Sequence, residues 1–235
     1  MSISASGARV IGHPRPAEHR WAATIALFVV MTVYVVLPGS ILGWTRYVVI
    51  GMMVLLVIPV IILNPHRLTK QTRLSRWLTV GLVVLITITN QVALILLVRA
   101  LVVGVHPGPE LLLTALEVWG TNVIGFALLY WELDRGGPVD RHRLSRAEIR
   151  AADFRFPQDE DHDATPEVAV GSSIKGNWVP HFVDYLYVSL TNSMAFSPTD
   201  TMPLTHRAKL LMGLQSAAGF IILALVIARS VNILA

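Results

Sequence analysis

The sequence predicts an all-α, polytopic transmembrane helical bundle, and three observations lead to that prediction. Hydrophobic residues make up 54% of the 235 residues and charged residues only 14%, whereas soluble domains carry about 25% charged residues. The apolar residues are grouped in runs long enough to cross a bilayer. The segments outside these runs carry most of the arginines, which is typical of chain held in the cytoplasm.

The first part of the membrane region is predicted in residues 21–131, after a disordered basic tail at residues 1–20. Four apolar runs in this region are long enough to be transmembrane helices. The four predicted spans are residues 21–37, 47–63, 77–103 and 111–131. No small-x-small cleavage motif follows the first run, so we expect it to be a retained span and not a removed signal peptide.

Loop charge predicts the side of the membrane on which each loop lies. The loop at residues 64–76 contains no acid and four basic residues, namely Arg67, Lys70, Arg73 and Arg76. Because basic loops stay in the cytoplasm, we expect this loop there. The tail at 1–20 and the polar loop at 132–177 are separated from it by an even number of crossings, so they are expected on the same side.

The loop at residues 132–177 is the largest polar segment of the chain. It contains ten acidic residues and seven Lys and Arg, which gives a net charge of −3. Ser145 and Glu148 have the spacing of a capping box, which predicts a short helix from Ser145 to about Asp153. The acidic run at 159–163 lacks the glycine and the terminal glutamate of a calcium-binding EF-hand loop, so we expect a solvated linker and no metal.

Residues 178–235 combine a half-polar stretch, a polar turn and a long apolar helix at 208–235. The stretch at 178–196 is long enough to cross a bilayer but contains Asp184 and Asn192. A carboxylate at the bilayer centre costs about 2.5–3.5 kcal/mol, so such residues normally face protein or water. The stretch therefore either dips into the membrane or crosses it. The fold is then five spans plus a re-entrant pore-type helix, or six spans.

Polar residues inside the predicted spans are candidates for helix contacts or for a transport path. The intramembrane polar candidates are Asn90, Gln91, Glu117, Asp184 and Asn192. A mid-membrane Asn or Gln usually donates hydrogen bonds to another helix. A buried Glu either pairs within the bundle or binds a cation or a proton. These candidates support a small secondary transporter as one alternative function.

The segment from Asp184 to Asp200 reads D-Y-L-Y-V-S-L-T-N-S-M-A-F-S-P-T-D. It resembles the pore helix and filter of potassium channels, whose common pattern is D-A-L-Y-F-S-F-V-T-L-T-T-V-G-Y-G-D. The spacing of the two aspartates is the same, and Gly219 lies near the position of the family's hinge glycine. The resemblance implies a pore-loop module of residues 178–235, a homotetramer, and monovalent cations as partners.

The resemblance also implies which residues line the narrow part of such a pore. These pore- or filter-like residues are Ser193, Met194, Ala195, Phe196, Ser197, Pro198, Thr199 and Asp200. Ser197, Pro198 and Thr199 stand where the family has glycine, tyrosine and glycine. Because proline holds φ near about −65°, we expect a degenerate filter and not a potassium-selective filter of the usual kind.

A second resemblance concerns Tyr130 to Pro138, which read Y-W-E-L-D-R-G-G-P, and the later run F-S-P-T-D-T-M-P-L-T. Together they are similar to a family of uncharacterised bacterial integral-membrane proteins. This resemblance implies a multi-pass protein of the bacterial inner (plasma) membrane, with the lipid bilayer as its surroundings. It implies little about chemistry.

Several classes of function have no support in the sequence. There is no nucleophile elbow, no H-E-x-x-H and no phosphate-binding glycine loop, so we expect no enzyme, cofactor or metal. His181 and Asp184 are interpreted as a hydrogen-bonded core pair. No basic-aromatic module for nucleic acid is present. The predicted function is an ion-channel-like membrane protein that conducts as an oligomer; the alternatives are a non-conducting structural or partner-binding membrane protein and the transporter.

Overall fold

The computed structural model describes residue 18 and residues 21–36, 45–63, 72–103, 108–160, 165–173, 178–195 and 200–234. Helices dominate this part of the chain, which confirms the predicted helical class. The eight α-helices within it are α1 (Trp21–Val36), α2 (Thr45–Leu63), α3 (Arg73–Val103), α4 (Gly108–Leu133), α5 (Pro138–Arg143), α6 (Pro166–Val170), α7 (Phe182–Ala195) and α8 (His206–Leu234). Two short strands, β1 (Phe154–Arg155) and β2 (Met202–Pro203), form an antiparallel pair.

Three stretches of helix are long and apolar enough to cross a membrane. They are Arg73–Val103 in α3, Glu110–Gly136 in α4 and its extension, and His206–Ala228 in α8. α3 begins four residues before the predicted span because the hydroxyl of Thr72 accepts a hydrogen bond from the backbone N–H of Ser75 at 3.1 Å. Such N-caps satisfy one of the free donors of a first helical turn. The prediction of membrane-length helices is therefore confirmed for these three.

α4 lies at the centre of the helical bundle and contacts α1, α3, α7 and α8. In its most apolar stretch 61% of the residues are buried, against 28% in α8. One core cluster joins Phe126, Tyr130 and Phe182 with neighbouring aromatic and aliphatic side chains. A second cluster, which includes Tyr34 and Leu97, lies further along the bundle. α4 is thus a scaffold on which the other long helices pack.

The polar segments meet at one end of the bundle, which we call the polar end; it comprises Glu18, Arg76, residues 132–160, 178–182 and 200–207. At this end the guanidinium of Arg76 at the start of α3 donates a hydrogen bond to the carbonyl of Gly136 after α4. Gly136 and Gly137 have φ values of 85° and 94°. Residues other than glycine rarely adopt positive φ values of this kind. The turn redirects the chain into α5, whose first residue is Pro138.

The short helix predicted from Ser145 to Asp153 is wrong. The Ser145 hydroxyl does donate to Glu148 at 2.8 Å, but the chain makes only a turn there, and the helix of this segment is α5 at Pro138–Arg143. The segment that follows leads into β1 and not into a helix, because the Asp153 backbone N–H donates to the Asp134 carboxylate at 2.7 Å. The Asp153 carbonyl in turn accepts from the Leu204 N–H at 2.8 Å. The local capping motif is therefore not sufficient to form a helix here, because residues distant in sequence bind the segment that follows it.

α7 and α8 begin at the same end of the bundle and run parallel. Phe182 at the start of α7 contacts Glu18, and Arg207 at the start of α8 contacts Asp153, so both helices start at the polar end. Contacts between them keep the same order along both helices, from Ser189–Gln215 to Asn192–Ser216. The chain is therefore back at the polar end at β2, which pairs with β1.

The length of α7 limits what it can span. Its 14 residues rise about 1.5 Å each, or about 21 Å in total. The hydrocarbon core of a bilayer is about 30 Å thick. α7 alone is therefore too short for a full crossing.

Candidate functional site

The candidate site is the α7–α8 unit (residues 182–195 and 200–234) together with the polar end that holds its base. Two carboxylates cap the first turn of α7. The Asp184 carboxylate accepts a hydrogen bond from the backbone N–H of His181 at 2.7 Å, and the Glu18 carboxylate accepts from the N–H of Phe182 at 2.8 Å. Negative charge is favourable at a helix N-terminus. Asp184 thus lies half-buried at the start of the helix, and its role here is that of a cap.

His181 and Asp184 are hydrogen-bonded as predicted, but they are not a core pair, because His181 is exposed and Asp184 is half-buried. Their hydrogen bond uses the backbone N–H of His181, while its imidazole Nδ1 lies 3.7 Å from the Glu18 carboxylate. The ring of His181 also lies 5.4 Å from that of His142, measured between centroids. The imidazole therefore belongs to a group formed with Glu18 and His142, which are far apart in sequence.

Arg141 of α5 is the main cation of the polar end and is fully buried. Its guanidinium donates to the carbonyl of Trp131 at 2.7 Å and to that of Pro180 at 3.1 Å. It lies 3.7 Å from the Glu18 carboxylate and 4.9 Å from the centre of the Tyr185 ring. An arginine suits this position because its planar fork satisfies several acceptors at once. Arg141 thus links the end of α4 to the chain just before α7.

Asp134, just after α4, is a buried carboxylate that fixes the base of α7 to β1. It accepts a hydrogen bond from the Tyr185 hydroxyl at 2.5 Å and another from the backbone of Asp153 at 2.7 Å. Arg135 forms an ion pair with it at 3.4 Å. The Tyr185 ring packs edge-on against Phe156, with centroids 5.4 Å apart. The first two turns of α7 are therefore held by both polar and aromatic contacts.

Gln215 of α8 connects three helices inside the bundle and is fully buried. Its amide oxygen accepts hydrogen bonds from the Tyr130 hydroxyl at 2.7 Å and from the Asn192 amide at 2.9 Å. Its amide nitrogen donates to the carbonyl and the hydroxyl of Ser189. Both lone pairs of the amide oxygen and both N–H groups of the amide nitrogen are therefore used. This glutamine therefore ties α4, α7 and α8 together.

Asn192 is 3% exposed and is enclosed by α8. Its amide donates to the carbonyl of Met212 at 3.0 Å, and its side-chain oxygen accepts from the Ser216 hydroxyl at 2.9 Å. Buried polar groups of this kind are stable only when they are hydrogen-bonded. The amide thus acts as a contact between α7 and α8.

Gly219 lies where α8 approaches the end of α7 most closely. A Cβ atom added to it would lie 2.6 Å from the carbonyl oxygen of Ser193. α8 continues without interruption across this position. The predicted hinge role of Gly219 stays a prediction, whereas its contact with Ser193 gives a direct reason for the missing side chain.

We expect Gly219→Ala to destabilise the protein by about 1–3 kcal/mol, because the added methyl group forces the two helices apart. Gly213→Ala is the matched control on the same helix, since nothing lies within 4 Å of a Cβ at that position. There alanine should be neutral or stabilise by up to about 1 kcal/mol through helix propensity. Thermal unfolding of both variants in detergent checks this, and equal midpoints would contradict the close contact.

The predicted filter-like residues are only partly described. Ser193, Met194 and Ala195 form the last turn of α7, and the Met194 side chain is 61% exposed. Phe196, Ser197, Pro198 and Thr199 lie outside the described residues. Asp200 is exposed and precedes β2 by two residues. The pore-lining role of these residues stays a prediction.

Three polar residues of the third and fourth predicted spans, Asn90, Thr121 and Asn122, form a bridge between α3 and α4. The Asn90 amide donates to the carbonyl of Val118 at 2.9 Å and to the Thr121 hydroxyl at 2.7 Å, and its oxygen accepts from Asn122 at 2.9 Å. Such bonds are the usual role of amides inside membrane bundles. Gln91 and Glu117 each have one buried polar atom without a hydrogen-bond partner among the described residues.

The charges around Glu18 shift the pKa values of the groups at the base of α7. Burial alone would raise the pKa of Glu18, but His181, the charge of Arg141 and the N–H of Phe182 outweigh it and lower the pKa below its ordinary value. The contact with Glu18 raises the pKa of His181. Burial lowers the pKa of His142. At neutral pH Glu18 is therefore charged and His142 is neutral.

Sequence reasoning missed Glu18, Arg141 and Gln215, although one of them had a detectable signal. Glu18 is the sole acidic residue among the first 109 residues. It is 6% exposed, and its carboxylate also accepts a hydrogen bond from the indole N–H of Trp131 at 3.1 Å. A lone acid in a basic segment is therefore worth testing for a buried partner. Arg141 and Gln215 have no comparable signal.

No family model, no curated protein and no solved structure matches this chain. Its function must therefore be inferred from its own residues and contacts.

Proposed function

We propose that the chain is a multi-pass protein of the bacterial inner membrane whose copies assemble around a path for monovalent cations. In this proposal α1, α2, α3, α4 and α8 cross the membrane, and α7 is a re-entrant helix. The observation that carries the proposal is the parallel course of α7 and α8 from one end of the bundle. A short helix that enters, a chain that returns and a helix that crosses are the parts of a pore loop.

The charges at the polar end support an orientation for this unit. The described end of the basic loop at 64–76 joins the bundle where Arg76 contacts Gly136, so Arg73 and Arg76 lie at the same end as Glu18 and the base of α7. Segments rich in arginine and lysine stay in the cytoplasm. We therefore infer that the polar end is cytoplasmic and that α7 enters the membrane from that side.

Exposed apolar faces on the α7–α8 unit support assembly into an oligomer. Residues on α7 spaced three or four apart are exposed on one face, namely Val183, Tyr187, Leu190 and Met194. A single re-entrant helix forms only one wall of a path, so several copies are needed to enclose it. Four copies follow from the resemblance to potassium channels. Asp200, exposed ahead of β2, would attract cations to the path.

A second candidate is a non-conducting membrane protein that uses the same unit as a rigid structural or partner-binding element. One observation favours it. The Ser189 hydroxyl donates to the carbonyl of Val123 at 2.7 Å, and Asn192 is bonded to α8. These polar groups of α7 are thus satisfied within their own chain and are not directed at a water-filled path.

Reconstitution into liposomes tests the first candidate, and the absence of cysteine allows single cysteines to be introduced without background. We expect oligomers that pass K⁺ or Na⁺. A positively charged thiol reagent should reduce that flux by roughly tenfold or more in Met194→Cys and Asp200→Cys, because a fixed charge in a narrow path repels cations. Ile88→Cys is the matched control, on the exposed surface of α3.

Two results would count against conduction. Folded oligomers that pass no more ions than empty liposomes would leave the non-conducting candidate. Equal inhibition at Ile88 and at Met194 would show that the reagent acts elsewhere than on a path lined by α7.

A further inference from the structure

Three potential metal ligands meet at the polar end from segments that are distant in sequence. They are Glu18 before α1, His142 in α5 and His181 just before α7. One ligand atom from each lies within 4.8 Å of the others. Glu18 and His142 are buried, whereas His181 is exposed. The group is thus open to solvent at His181, while the side chains of Glu18 and His142 are enclosed by protein.

His142 has the hydrogen-bond arrangement of a metal ligand. Its Nδ1 lies 2.8 Å from the carbonyl of Pro138, so Nδ1 carries the proton and Nε2 keeps its lone pair. The residue is 6% exposed, and Nε2 is buried without a hydrogen-bond partner in the described part of the chain. A buried polar atom without a partner costs about 1–3 kcal/mol. Histidines that bind metals usually donate their other ring N–H to a carbonyl in this way.

We propose that Glu18, His142 and His181 bind one divalent transition-metal ion of the zinc class, with the fourth position open to water. Two imidazoles and one carboxylate are a known ligand set for tetrahedral Zn²⁺. Imidazole nitrogen also favours this class of ion over Mg²⁺ or Ca²⁺. In a zinc site the ligand atoms lie about 2.0–2.2 Å from the metal. They are then closer to one another than the ligand atoms of Glu18, His142 and His181 are in this structure. The exposed ring of His181 is the member that has to move inward.

The two oxygens of Glu18 have different neighbours, and the one that faces His181 is the one we assign to the ion. Oε2 accepts from Trp131 and faces Arg141 at 3.7 Å. Oε1 accepts from the backbone N–H of Phe182 at 2.8 Å and faces the imidazole of His181 at 3.7 Å. A carboxylate oxygen has two lone pairs, so Oε1 keeps one for the ion. The carboxylate can therefore remain beside Arg141 while Oε1 contacts the metal. The bound ion would join the segment before α1 to the first turn of α7, whether or not α7 lines a path for ions.

The test uses full-length, tag-free protein in detergent, stripped with a chelator and titrated with ZnCl₂ by calorimetry. We expect one ion per chain with a Kd in the micromolar range or tighter, and tetrahedral Co²⁺ absorption on substitution with cobalt. His142→Ala and His181→Ala should each weaken binding by about 100-fold or more. Loss of a residue that only hydrogen-bonds to a metal ligand weakens metal binding by about 10–100-fold, and loss of the ligand itself should weaken it further. His206→Ala is the matched control, an exposed histidine at the same end.

The variants separate loss of binding from loss of folding. Because His181 is exposed, His181→Ala is expected to fold and is the decisive variant if His142→Ala does not. ZnCl₂ should raise the thermal midpoint of the parent protein and of His206→Ala but not that of His181→Ala. The proposal is overturned if the parent protein shows no saturable binding, or if His181→Ala binds Zn²⁺ as the control does. Neither result depends on ion flux.

Discussion

Arg141→Met is expected to lower the free energy of unfolding by about 3–5 kcal/mol, which is the usual cost of breaking a buried ion pair by removing one partner. Methionine fills a similar volume but leaves the carbonyls of Trp131 and Pro180 without this donor. It also leaves the buried Glu18 carboxylate without the cation that lies 3.7 Å away. The base of α7 should loosen with the rest of the polar end.

Denaturant-induced unfolding in mixed micelles measures this change. Arg143→Met is the matched control, because Arg143 lies on the same helix and is exposed; its effect should stay within about 0.5 kcal/mol. Arg141→Lys should lie between the two, since lysine keeps the charge but not the planar fork. If Arg141→Met and Arg143→Met have equal effects, the linking role of Arg141 is wrong.

Gln215→Leu is expected to cost about 2–4 kcal/mol, because it leaves several buried polar groups of α4 and α7 without partners. The Tyr130 hydroxyl loses its acceptor, and the hydroxyl and carbonyl of Ser189 lose a donor. Individual hydrogen bonds inside membrane bundles average about 0.6 kcal/mol. The expected cost of Gln215→Leu is larger because this one side chain makes hydrogen bonds with several partners.

Hydrogen exchange and unfolding measurements locate the effect of Gln215→Leu. Backbone amides of α7 should exchange faster, whereas those in the middle of α3 should not change. Tyr130→Phe removes a single bond at 2.7 Å and should cost about 1 kcal/mol. In the double variant the two losses should not add, because the residues are in direct contact. Full additivity, or an unchanged stability of Gln215→Leu, would contradict the shared network.

Much of the helical architecture could be predicted from the sequence alone. The apolar runs that correspond to α3, α4 and α8 were predicted to within a few residues, because a helix of membrane length needs only a continuous run of apolar side chains. The half-polar character of the segment that forms α7 likewise predicted that protein would surround Asn192. These properties depend on composition and spacing within one segment.

Local signals failed where distant residues competed with them. The capping box at Ser145 and Glu148 is present, yet Asp153 is drawn into contacts with Asp134 and Leu204. His181 was assigned to its near neighbour Asp184, which does accept a hydrogen bond from its backbone N–H, but the ring of His181 faces Glu18. In both cases the residue that makes the contact lies far away along the chain, and local spacing patterns carry no information about such a residue.

The sequence by itself thus determined the helical class, the long apolar helices and the polar groups that had to be enclosed. Only the tertiary structure decided that α7 runs parallel to α8, that Gln215 joins three helices, and that Glu18 meets Phe182 across 164 residues of sequence. The physical reason is that helix formation depends on neighbouring residues. The partner of a buried charge or amide depends instead on which segments the whole fold brings together.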